Sequence, residues 1–152
     1  MTKWLSADEQ QSWRSFITAW TLLNHQLNLD LQSQHGLTIA DYEILVRLSE
    51  TPGRRMRMSE LAELTLASRS RLSHQVGRME AAGLVNRAEC TEDRRGSFAT
   101  LTEAGWHALV AAAPVHVAGV RTHLVDVLTK SEFKALGAAC QKVASAISPE
   151  SN

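Results

Sequence analysis

The chain has 152 residues, 44% of them hydrophobic, enough to bury one core and consistent with a single domain over 1–152. No run approaches the roughly 18 consecutive apolar residues of a membrane span, and Met1-Thr2-Lys3-Trp4-Leu5-Ser6 lacks the apolar stretch of a secretory signal, so a cytoplasmic protein with no membrane partner is expected. Two cysteines, Cys90 and Cys140, exclude a disulfide framework, and a formal net charge of zero argues at first against a polyanionic partner.

Ser6-Ala7-Asp8-Glu9 fits a capping box, so a helix begins there. Behind it Trp13, Phe16, Ile17, Trp20, Leu23, Leu27 and Leu31 recur at spacings of three and four, one apolar stripe that runs to His35-Gly36. Thr38-Ile39-Ala40-Asp41 opens a second helix in the same way, with Tyr42, Leu45, Val46 and Leu48 on its apolar side and Thr51-Pro52-Gly53 as its stop.

Three arginines follow within five residues. Ser59 to Leu64 then reads as a short helix, joined through Leu66-Ala67-Ser68 to another that ends near Ala82-Gly83; helices joined by so short a turn must cross steeply. Leu84 to Cys90 reads as a strand, Thr91 to Gly96 as a turn and Ser97 to Leu101 as a second strand, which together make a hairpin. From Thr102 the helical period returns through Trp106, Leu109, Val110, Ala113, Val117, Val120, Leu124 and Val127, with Pro114 placed to kink that helix. Thr129-Lys130-Ser131-Glu132 is another capping box, leading a narrow seam of Phe133, Leu136, Cys140, Val143 and Ile147. The fold class is mainly α with a small β-hairpin.

The zero net charge hides an uneven distribution. Residues 1–53 carry three Lys/Arg against six Asp/Glu, residues 54–95 carry nine Arg against six, and the remainder balances. The helix after Ser68 falls inside this basic third. At about 100° per residue Leu72, Val76 and Met79 point one way, while Ser70, His74 and Gly77 point the other, flanked by Ser73 and by Arg71 and Arg78. No carboxylate occurs between Ser68 and Arg78. Such a helix suits the major groove of duplex DNA, where arginine reads guanine and Ser, His and Gln add hydrogen bonds. Ser68, as the cap, leaves amino-terminal amides free for a phosphate. The turn Asp93-Arg94-Arg95-Gly96 puts two arginines at a tip that suits a narrow minor groove, with Asp93 able to hold one of them.

Ser59-Glu60-Leu61-Ala62, Ser70-Arg71-Leu72-Ser73 with Val76 and Met79, Gly83-Leu84-Val85, Asp93-Arg94-Arg95-Gly96 and Leu101-Thr102-Glu103-Ala104-Gly105 together resemble the multiple antibiotic resistance regulator (MarR) family of winged helix-turn-helix proteins. The resemblance covers nearly the whole chain. It implies a DNA-binding lobe at about 38–101 and dimerisation helices at about 6–36 and 102–148. It also implies a homodimer on a pseudo-palindromic operator, commonly a repressor released by a small aromatic ligand or an oxidant. Carried over by position, the DNA contacts are Ser68, Arg69, Ser70, Arg71, Ser73, His74, Gln75 and Arg78 on the helix and Asp93, Arg94 and Arg95 on the wing. The apolar stripes of the terminal helices support the dimer independently, since they exceed what a small winged helix needs to cover itself.

A ligand cleft between the first helix and the DNA-reading lobe would use Trp13, Trp20 and Tyr42 as walls and Arg14 or His35 as polar partner. Cys140 on its seam reads as core packing, whereas Cys90 near the turn is the one thiol placed for redox sensing. His107, His116 and His123 stand seven or more residues apart, so neither a metal nor a cofactor is expected. No catalytic motif is present, and a winged-helix module for protein contact is the remaining alternative.

Overall fold

The computed structural model describes residues 1–91 and 96–148. Its elements run α1 (Ala7–His35), α2 (Ile39–Glu50), β1 (Arg55–Arg57), α3 (Met58–Thr65), α4 (Arg69–Ala81), β2 (Val85–Glu89), β3 (Ser97–Leu101), α5 (Glu103–Val120) and α6 (Lys130–Ile147). A 3-10 turn at Pro52–Arg54 precedes β1, and a π-helical turn at Arg121–Val125 follows α5. The chain divides into two compact units, Met1–His116 and Val117–Asn152.

The helix starts are set where the sequence places them. Ser6, Thr38 and Thr129 each accept a hydrogen bond from the backbone three residues on, and the carboxylates of Glu9, Asp41 and Glu132 accept one from the cap amide. α1 ends at Gly36, whose φ of 65° is the left-handed conformation glycine adopts without penalty. α5 continues through Pro114 to Val120. With the π turn it forms a 23-residue apolar helix, Glu103–Val125, long and apolar enough by length and composition to cross a membrane. No unbroken apolar run marks this helix in the sequence, because small Ala and Gly residues supply much of it.

In the first unit, α2, α3 and α4 pack their apolar sides against one face of an antiparallel sheet of order β1-β3-β2. Leu31, Ile44, Leu45, Leu48, Leu61, Leu72, Val76 and Val85 are its largest fully buried side chains, each stabilising the fold by about 1.5–3 kcal/mol through burial. The hairpin of the sequence reading is thus two of three strands. β1 pairs Met56 with Ala99 and buries Met56 between two exposed arginines.

β2 and β3 pair Val85 with Leu101 and Arg87 with Ala99, which puts Arg87 on the sheet face that carries the core. Thr102 ties α5 to this sheet. Its hydroxyl lies 2.7 Å from the Gly83 carbonyl and 3.0 Å from that of Leu84, and accepts from the Gly105 amide. In the second unit, α6 leaves Phe133, Val143 and Ile147 exposed.

Candidate nucleic-acid interface

The helix-turn-helix consists of α3 and α4. The turn between them passes through Leu66, which adopts a left-handed φ of 52°, and Ser68 then caps α4 by accepting from the Arg71 amide at 3.1 Å. Leu72, Val76 and Met79 are buried. The opposite side is therefore turned outward, and Ser68, Arg69, Ser70, Arg71, His74 and Arg78 are all exposed. All six lie along α4 and its cap, with Ser70 and His74 opposite the buried stripe, Arg71 and Arg78 on its flank and the first carboxylate of α4 at Glu80.

Two of the eight expected helix contacts are placed differently. Gln75 is half-buried and donates from Nε2 to Asp41 Oδ1 of α2 at 3.2 Å. Ser73 is half-buried and engaged by Arg87: Nη1 donates to Ser73 Oγ at 3.0 Å and Nη2 to its carbonyl at 3.2 Å. Both side chains join α4 to the body of the fold. Asp93, Arg94 and Arg95 lie outside the described residues.

Between α4, the start of α3 and the base of the hairpin lies a cleft of about 290 Å³ whose described lining includes Arg57, Arg69, Arg87, Ser59, Ser73 and Ser97. Of these, Arg87 is engaged by Ser73 and the Arg57 guanidinium lies toward Phe98, which leaves exposed Arg69 with the Ser59 and Ser97 hydroxyls as an environment suited to a phosphate oxygen. Arg57, Arg87, Ser59 and Ser97 were absent from the sequence expectation. Their signal was the period-two phase of Val85-Asn86-Arg87, which puts Arg87 inward. On the outer sheet face Arg55 and Arg57 stand 4.0 and 5.2 Å from the Phe98 ring centroid, while Arg54 covers Trp106 at 4.4 Å and bonds Glu103 at 3.0 Å.

The five residues expected to line a ligand cleft are dispersed. Trp13 is 54% exposed and lies 6.2 Å from the Phe16 ring. Arg14 lines a shallow recess along α1, and Trp20, 57% exposed, lines another with Thr21, Asn24, His25, Asn28 and Ile39. His35 closes the last turn of α1. Tyr42 stacks on His116 at 4.6 Å; burial pushes the Tyr42 phenol above its ordinary range and the His116 imidazole below 6.5.

The two thiols also depart from expectation. Cys90 is buried at 8% exposure, with its sulfur 3.7 Å from an Arg57 nitrogen, so the accessibility that redox sensing requires is missing. Cys140, read as core packing, is exposed on the single chain because the seam of α6 has nothing laid over it within its own unit. No group of three His, Cys, Asp or Glu side chains that could hold a metal occurs among the described residues.

The MarR family profile matches residues 35–96, from the end of α1 to the threshold of β3. AbsC, a MarR family transcriptional regulator from Streptomyces coelicolor, is 51% identical, with 96% of this chain aligned to 98% of that one at a TM-score of 0.88. Sco3205, a MarR family transcriptional regulator from the same organism solved in complex with DNA, is 44% identical, covers 99% of this chain and 95% of its own, and gives a TM-score of 0.92. The transcriptional regulator BldR from Sulfolobus solfataricus is similar at 26% identity, over 94% of this chain and 100% of its own, with a TM-score of 0.78. No curated protein matches the sequence.

Proposed function

The chain belongs to the MarR family of transcriptional regulators and is a regulator, not an enzyme; from that premise we propose that it binds an operator in duplex DNA as a homodimer and represses transcription. The observation that carries this reading is the exposed, acid-free side of α4, where Ser70, Arg71, His74 and Arg78 face away from a buried apolar stripe. A helix of about 10 Å diameter with that face fits the major groove, and exposed Arg69 beside the Ser59 and Ser97 hydroxyls offers a site for a flanking phosphate. The DNA complex of Sco3205 supports the same role for this chain.

Dimerisation follows from apolar surface that each unit leaves uncovered: Trp13, Phe16, Ile17 and Trp20 on α1, and Phe133, Val143 and Ile147 on α6. A second copy pairs such surfaces by symmetry. The same pairing accounts for the apolar Glu103–Val125 helix without a membrane, in keeping with a cytoplasmic location. Release by a small aromatic acid or phenol completes the proposal, with the Trp20 recess on α1 as its entry point.

The test is a mobility shift of duplex from the protein's own promoter region, titrated with salt. Affinity is expected to fall steeply and linearly on a log-log plot as cations are displaced from phosphates. Binding to no promoter-proximal duplex, or binding indifferent to salt, rejects the function.

A further inference from the structure

α4 is held on both flanks by side chains from outside it. Arg87 of β2 grips one flank, with its two terminal nitrogens on the hydroxyl and carbonyl of Ser73 and its own amide donating to the Glu80 carboxylate at 2.8 Å. Gly77 gives it room, since a Cβ there would stand 3.2 Å from Nη2. Asp41 grips the other flank through Gln75, while its second oxygen caps α2 by accepting from the Thr38 amide at 2.9 Å. Positions 73 and 75 lie about 200° apart around the helix axis, so the two grips oppose each other.

Apolar packing restrains rotation of a helix about its axis less sharply than directed bonds do. The stripe of Leu72, Val76 and Met79 makes non-directional contacts, whereas hydrogen bonds weaken steeply when misaligned. A roll of about 15° moves the surface of a helix of about 5 Å radius by about 1 Å, enough to spoil a bidentate contact with a base edge. Arg87 also carries a cost that stability does not reward: its Nε is buried with no hydrogen-bond partner among the described residues.

Resting on the DNA-binding reading above, we propose that Arg87 is a positioning residue for operator recognition: it sets the roll of α4 and thereby decides which of Ser70, Arg71, His74 and Arg78 meet base edges. It acts through Ser73 and not by touching DNA. Because both its terminal nitrogens are held by Ser73, its removal alters sequence discrimination and leaves the count of phosphate contacts unchanged. Lysine does not replace it, because an ammonium lacks the planar fork that holds two acceptors at once.

The experiment enriches a duplex from a randomised pool with the wild-type protein, then measures affinity for that duplex and for a shuffled one across a salt series. For Arg87→Met the ratio of the two affinities is expected to fall about tenfold or more, by the worth of one well-placed base contact, with an unchanged salt slope and a melting temperature no lower than wild type. Arg87→Lys is expected to resemble Arg87→Met. Ser73→Ala, which deletes one acceptor with little change in packing, is expected to lose several-fold in the same ratio by the loss of one hydrogen bond to a charged group, and it carries the test should Arg87→Met fold poorly.

Wild-type discrimination in Arg87→Met or in Ser73→Ala overturns the proposal. So does a salt slope reduced by about one, which would make Arg87 a phosphate contact, and so does rescue by lysine. These outcomes leave DNA binding standing. Failure of the wild type to enrich any sequence removes the DNA-binding reading and this proposal together.

Discussion

Gly105, in the first turn of α5, lies against the carbonyl of Leu84 so closely that no Cβ fits between them; one built there would also stand 2.7 Å from Leu101 Cδ1. The contact brings α5 onto the start of β2, where the Thr102 hydroxyl and amide bond the same carbonyl. Backbone cannot swing aside as the end of a side chain can. Gly105→Ala is therefore expected to destabilise the fold by about 1–3 kcal/mol or more, read as a lowered midpoint in denaturant. An unchanged midpoint would mean that α5 backs away from Leu84 without loss.

The Tyr42–His116 stack gives the fold a pH dependence whose sign follows from burial. Burial lowers the His116 pKa in the native state from its ordinary 6.5, so the unfolded chain takes up the proton first as pH falls. Stability is then expected to decline as pH drops through 6.5 toward the lower native value, and to level off below it. Thermal melts between about pH 7.5 and about pH 5.5 test this against His116→Gln, which should flatten that part of the profile. A slope identical in the variant would assign the effect to another group.

Much of the fold was legible because the signals that encode it are local. Each capping box occupies four consecutive residues, and the stripe of Leu72, Val76 and Met79 repeats within two turns of one helix, so Ser6, Thr38, Ser68 and Thr129 all cap where the sequence places them. What stayed hidden depends on partners far along the chain. β1 is three residues with one apolar side chain, too short for a period of two to register, and it exists through pairing with β3 more than forty positions later. Gln75 and Ser73 looked like surface contacts because their partners, Asp41 and Arg87, lie 34 and 14 residues away. Cys140 looked buried because a seam drawn on one helix does not say whether the surface covering it belongs to the same chain.

The exposed arginines on α4 separate affinity from stability. Arg71 lies on the flank of the outward face, beyond the buried stripe. Arg71→Ala is expected to weaken operator binding by roughly 1–3 kcal/mol with the melting temperature unaltered. Arg95→Ala, in the turn the sequence predicts between the two hairpin strands, is expected to do the same. Full affinity in both variants would move the contact surface off α4 and the wing.

The dimer proposal rests on hydrophobic side chains that a lone chain cannot cover. On α1 Trp13 and Trp20 are both more than half exposed, and on α6 Phe133 is 39% exposed. Aromatic side chains bury about 150–250 Å² each when covered, so a few of them account for much of the roughly 800 Å² per partner of a standard interface. Sedimentation at micromolar concentration is expected to give twice the 16.8 kDa of one chain. Placing a carboxylate on each helix, as in Phe16→Asp with Phe133→Asp, should shift the mass toward one chain, since an unpaired charge held in an apolar interface costs several kcal/mol. Operator affinity should fall with it, because two lobes on one dimer bind adjacent half-sites at an effective concentration that separate chains do not reach. A single 16.8 kDa species for the wild type, or a double variant that remains dimeric, would show that these faces serve some other purpose.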